Sequence, residues 1–110
     1  MSLDESSFES IAGETLDRFM DVIDDVLGGD LDVDLEGGIL NIELEAGGQY
    51  VINKHAPNRQ IWLSSPFSGA SHYEYDEAAG DWLSTRGGAS LTALLEGELE
   101  KATGKTVSLA

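Results

Sequence analysis

A chain of 110 residues with 41% hydrophobic content has the size of one modest domain and too much apolar mass for a disordered polymer. Its formal net charge of −15 excludes ordinary nucleic-acid and anionic-membrane recognition, because phosphates would repel the surface, and favours cations and basic protein patches. With no cysteine, disulfides, thiolate metal sites and thiol nucleophiles are excluded too.

Residues 4–27 carry a helical period. Phe8, Ile11, Ala12, Leu16, Phe19, Ile23, Val26 and Leu27 recur at spacings of three and four, and make one apolar stripe. Ser2 or Asp4 is placed to cap the start, and Gly28-Gly29 to end the helix. The period then becomes two. Leu31, Val33 and Leu35 alternate with Asp30, Asp32, Asp34 and Glu36. Gly37-Gly38 suits a tight hairpin turn, and the return strand from Ile39 to Glu45 places Leu40, Ile42 and Leu44 inward. Ala46-Gly47-Gly48 turns the chain into a third strand, which begins the segment QYVINKHAPNRQIWLSS. Two more short strands follow, over 71–76 and 81–85. Ser90 then caps a second amphipathic helix that runs to about Ala102, with Leu91, Leu94, Leu95 and Leu99 as its stripe. Gly104 ends it before a short apolar tail, Thr106 to Leu109. The whole chain, 1–110, reads as a single α+β domain. It is a two-layer sandwich with an antiparallel sheet of about five to six strands and both terminal helices on one face.

Within that frame, the hairpin between Gln49 and Ser65 carries the most information. A turn over His55-Ala56-Pro57-Asn58, with Lys54 paired to Arg59, sets Asn53 against Gln60 and Val51 against Trp62. Asn53, Gln60, Trp62 and Ser64 then form one surface patch, with a large indole among polar neighbours. Such a residue suits a partner-binding anchor better than a core position. His72, on a later strand, reads as a plain surface residue first, with a partner contact or a weak metal ligand as the alternatives. His55 reads as a solvated turn residue, and Trp82 as core.

Acids form the second feature. Glu14, Asp17, Asp21, Asp24 and Asp25 lie on one flank of the first helix, and Asp30, Asp32, Asp34 and Glu36 follow it. Like charges at these spacings repel, and a cation or basic partner would offset that cost. Carboxylates are hard oxygen donors for Ca, Mg, Mn or iron. The run DLDVDLEGG does not have the glycine and glutamate spacing of a calcium loop, so metal binding is expected to be weak and exposed. No catalytic constellation is present: the two histidines belong to no zinc motif, and there is neither a nucleophile elbow nor a phosphate loop.

The segments VINKHAPNRQIWLSSPFSG, HYEYD, DW and SLTALLEGELE resemble the frataxin family, whose bacterial members are called CyaY. The resemblance covers nearly the whole chain and implies an antiparallel sheet flanked by two helices. It implies a non-enzymatic role in iron–sulfur cluster assembly, with weak Fe(II) or Fe(III) binding on an acidic ridge. The implied partners are the cysteine desulfurase and the scaffold protein, whose sulfur transfer such proteins modulate. Position by position, Asp21, Asp24, Asp25, Asp30, Asp32 and Asp34 match the family's ridge carboxylates. Asn53, Gln60 and Trp62 match its sheet-surface contacts. Val22 interrupts the helix acids, and His72 stands where eukaryotic members often carry Arg. The alternatives are an oligomeric ferroxidase and iron store, which the resemblance permits, and an acidic interaction module with no metal role. A monomer is expected, with oligomers under iron load. No apolar run reaches membrane-span length. The acidic start, MSLDESSFES, lacks a leader signature. The expected setting is therefore the bacterial cytoplasm, or the mitochondrial matrix for a processed form.

Overall fold

The computed structural model describes residues 4–45 and 47–109, so the proposed Ser2 cap lies outside the described residues. Helix α1 spans Glu5–Leu27. Six strands follow: β1 Leu31–Glu36, β2 Ile39–Leu44, β3 Gln49–His55, β4 Gln60–Ser65, β5 Gly69–Asp76 and β6 Asp81–Ser84. A short 3-10 turn, Ala56–Asn58, joins β3 to β4, and helix α2 spans Leu91–Thr103. Strand order in the sheet is the chain order, and every neighbouring pair is antiparallel. No described helix is long and apolar enough to cross a membrane.

Local chemistry sets the boundaries. Asp4 caps α1 by accepting from the Ser7 amide at 2.7 Å, and Ser90 caps α2 from Ala93 at 3.2 Å. Gly104 ends α2 at φ 76°, the left-handed conformation that glycine adopts at least cost. Gly37 and Gly38 both have positive φ, 60° and 79°, as a two-residue primed hairpin turn requires. The β3–β4 loop departs from expectation. It occupies residues 56–59 rather than 55–58, so His55 ends β3 opposite Gln60, Asn53 faces Trp62, and Val51 faces Ser64. Pro57 sits in the first turn of this 3-10 element, and Arg59 closes it at φ 53°, with its amide donating to the Ala56 carbonyl at 3.1 Å. Moving the loop by one residue slides the pairing by two. Every side chain therefore keeps its face, and only its partner changes.

Both helices cover one face of the sheet. Phe8, Ala12, Leu16, Phe19, Ile23 and Leu27 of α1 are buried, as are Leu91, Leu95 and Leu99 of α2. They pack with Leu40, Ile42, Tyr50, Ile52, Ile61, Leu63 and Tyr73 from the sheet. Val26, read as part of the stripe, is instead exposed. The tail does not hang free. Val107 and Leu109 are buried, the Leu109 amide donates to Glu96 at 2.7 Å, and Arg18 Nε donates to the Leu109 carbonyl at 3.1 Å.

Trp82 is core, edge-on to Phe8 with centroids 5.9 Å apart, and its indole N–H donates to the buried Thr15 hydroxyl at 3.0 Å. Thr15→Val keeps the shape and leaves that N–H without an acceptor. A loss of about 1–3 kcal/mol is expected in urea unfolding; an unchanged midpoint would mean the bond contributes nothing. A second link, between α2 and the sheet, is polar. Glu98 Oε1 accepts from the Tyr50 hydroxyl at 2.8 Å and from Ser65 Oγ at 2.6 Å. Burial, then the Glu98 carboxylate, pushes the Tyr50 phenol well above its ordinary value. A raised folded-state value means stability that is present below about pH 10 and lost above it. Tyr50→Phe is therefore expected to flatten the alkaline fall in melting temperature relative to wild type.

Candidate functional site

Strand alternation leaves the second sheet face uncovered by the helices, and the candidate contacts lie there. One cross-strand row runs Glu36, Ile39, Asn53, Trp62, His72. A neighbouring row runs His55, Gln60, Glu74, Leu83. Ser64 lies in a third row, between Val51 and Ala70. The structure thus brings Asn53, Gln60, Trp62, Ser64 and His72 together.

Trp62 does not lie bare on the face. His55 stacks on one side of the indole with ring centroids 3.8 Å apart, and His72 stacks on the other at 4.3 Å, each within 10° of parallel. The indole is half-buried, with both π faces occupied. Its N–H donates to Gln60 Oε1 at 2.8 Å, and the Gln60 amide nitrogen donates onward to Glu74 Oε2 at 3.1 Å. Three strands therefore fix one side chain, and its remaining edge faces outward. The side chain is thus pre-organised, with little rotamer freedom left to lose. His55 is not the solvated turn residue that the sequence suggested. The loop shift returns it to β3 and its ring to the stack. Glu74 was not singled out either, because its role depends on a register that spacing alone does not give. Ile39 and Leu83 are exposed apolar residues at 40% and 38%, one in each row, so the face around the stack is not wholly polar.

The six ridge carboxylates wrap around the β1 edge of the molecule. Asp21, Asp24 and Asp25 are exposed on α1, and half-buried Val22 sits among them, packed against the core. Asp30 follows in the turn, where its carboxylate pairs with Lys105. Asp32 and Asp34 are exposed on β1, opposite Glu43 and Asn41 respectively. Among the described residues, no three His, Asp or Glu side chains converge closely enough to hold a metal ion. The donors fit iron by their chemistry as hard oxygen ligands. Their spread allows one or two carboxylates per ion, with water completing the shell, rather than a cage.

A family model described as a frataxin-like domain matches residues 1–105. The chain belongs to the frataxin family. Among its curated relatives, the mitochondrial frataxin of Arabidopsis thaliana is 39% identical over 113 residues, covering 97% of this chain and 59% of that protein. The iron-sulfur cluster assembly protein CyaY of Azotobacter vinelandii is 40% identical over 97 residues, covering 86% of this chain and 84% of that one. Of solved structures, frataxin from Psychromonas ingrahamii superposes with a TM-score of 0.86 at 27% identity, covering 98% of this chain and 99% of that one. Trimeric frataxin from the yeast Saccharomyces cerevisiae, complexed with ferrous, superposes at 0.74 with 38% identity, covering 86% and 87%. The fold expected from the sequence, two helices on one face of a six-stranded antiparallel sheet, is the fold of these neighbours. The chain spans about three fifths of the Arabidopsis protein's length.

Proposed function

We propose that this protein is an iron-binding accessory of iron–sulfur cluster assembly. It docks on the cysteine desulfurase and its scaffold through the Trp62 face and modulates sulfur transfer. The carrying observation is the anchored indole on the sheet face without helices, held by His55, His72 and the Gln60–Glu74 chain. Family membership supports it, since relatives carry the name of cluster assembly proteins. The ridge acts first, because a strongly negative flank speeds encounter with a basic partner surface. The sheet face then supplies the buried contact. Iron is cargo here, held by Asp21, Asp24, Asp25, Asp32 and Asp34 weakly enough to be released; Asp30 joins them only when Lys105 swings away. The role in this reading is regulatory rather than enzymatic.

The test is cluster formation on a scaffold with purified desulfurase, in titrations of this protein with and without iron. A saturable rate change in either direction is expected. An unchanged rate at every concentration would sink the assembly role. The trimeric yeast neighbour favours weighing a second reading, an oligomeric ferroxidase and iron store. Oxygen uptake above the Fe(II)-buffer rate, together with assembly under iron load in sedimentation, would support that one instead.

A further inference from the structure

Resting on the docking role given to Trp62 above, we propose that the same face is proton-gated: protonation of His72 tightens the stack on Trp62 and strengthens docking. Histidine is the side chain whose charge ordinarily changes between about pH 5 and 8. An imidazolium over an indole face gains a cation–π attraction that the neutral ring lacks. At His72 that ring already lies parallel to Trp62, with centroids 4.3 Å apart.

Glu74 is two residues from His72 along β5 on the same face, with one oxygen taken by Gln60. From β3 come only His55 and Lys54, and Lys54 turns to the helix layer, where Glu9 holds it at 2.7 Å. Strand β4 brings no ionisable group to the face. Arg59 in the preceding turn is occupied by the Ala56 and Pro57 carbonyls. Beyond β6, the Thr85 amide donates to the His72 carbonyl, and Arg86 follows it. Asp76 is capped by the Ala78 and Ala79 amides, and Asp81 accepts from Trp82 N and Thr92. Across the sheet, Glu36, Asp34 and Glu43 share the outward face.

The two histidines are not equivalent. His55 Nδ1 is buried without a hydrogen-bond partner. An N–H at that position would have no acceptor. His72 carries no such restriction, so one proton is linked to docking. A protonated His72 brings its compensation with it, in the indole face and Glu74, so covering the patch leaves no unpaired charge. What docking gains is a Trp62 already fixed. The bound state therefore holds the proton more tightly than the free state. The gain is complete below the free-state titration and is lost as pH rises through the bound-state one.

The test measures affinity for the purified desulfurase–scaffold complex at constant ionic strength, from about pH 8 to about pH 6. Wild type is expected to bind about two- to tenfold tighter at the acidic end. His72→Gln should remove that dependence, His55→Gln should retain it, and His72→Arg should hold the acidic affinity throughout. A slope unchanged in His72→Gln, or weaker binding on acidification in wild type alone, would overturn the gate. If wild type bound at no pH, the docking role itself would fall. The gate would still be decided in the free protein by NMR, where the Trp62 indole resonance must titrate together with the His72 ring. An indole resonance that stays still while His72 titrates rejects it.

Discussion

Replacing Trp62 by Ala is expected to abolish the proposed effect on cluster assembly at sub-saturating concentration, and to leave the fold and iron binding in place. The indole is the one large side chain at the centre of the face without helices, and it is held on both sides and at its N–H. Truncating such an anchor typically costs about 2–4 kcal/mol of docking, or roughly thirtyfold to a thousandfold in affinity. The fold persists because the core lies on the opposite face. Trp62 does not contribute to the buried cluster of Phe8, Leu16, Tyr50, Ile61 and Trp82. Its loss does free His55 and His72, so a small drop in melting temperature is expected. Iron binding is expected to be unchanged because the proposed ridge carboxylates take no part in the stack. Measuring desulfurase affinity and iron affinity on the same preparation checks both halves. A variant that lost both would point to unfolding or to one merged site, and one that lost neither would remove Trp62 from the interface.

The second large effect is expected at the ridge, and it runs in opposite directions for stability and for function. Changing Asp21, Asp24, Asp25, Asp32 and Asp34 together to Asn should weaken iron binding by more than about tenfold, since amides are poor substitutes for charged oxygen ligands. Stability should rise by about 0.5–1 kcal/mol. The repulsions between Asp21 and Asp24, and between Asp21 and Asp25, at three- and four-residue spacing, are each worth a few tenths, and Asp32 also faces Glu43 across the β1–β2 pair. Asp30 is left in place because Lys105 already pairs with it. Docking should slow in its association rate and lose most of its salt dependence, while dissociation, set by Trp62, changes little. Calorimetry with Fe(II), urea unfolding and stopped-flow association read these separately. A variant that was less stable would show that the carboxylates are structurally satisfied rather than mutually repelling.

The elements were legible because local chemistry marks their ends. The switch from a period of three and four to a period of two falls at Gly28-Gly29, and paired glycines mark the first hairpin. Alternation assigned each of Asn53, Gln60, Trp62 and Ser64 to the outward face, where the structure has them. The position of the β3–β4 loop was not legible. Arg59 adopts a left-handed conformation that few non-glycine residues favour, and nothing in its identity announces it. That one-residue displacement hid the role of His55. The long-range polar links were equally hidden. Tyr50 and Glu98 lie 48 positions apart, and Thr15 and Trp82 lie 67 apart. Neither pairing follows from periodicity. The acidic ridge was legible as composition and spacing, but its division between the helix layer and the outer face of β1 needed the fold.

The measurement that tests the central claim most directly is NMR mapping of this protein on addition of the unlabelled desulfurase–scaffold complex. The two tryptophans serve as internal controls on opposite faces of one sheet. The predicted result is perturbation of the Trp62 indole, with residues 53–55, 60–64 and 70–74, while the buried Trp82 indole stays in place. Perturbations confined to α2 and the tail, with Trp62 unmoved, would contradict the claim that this sheet face is where the protein acts.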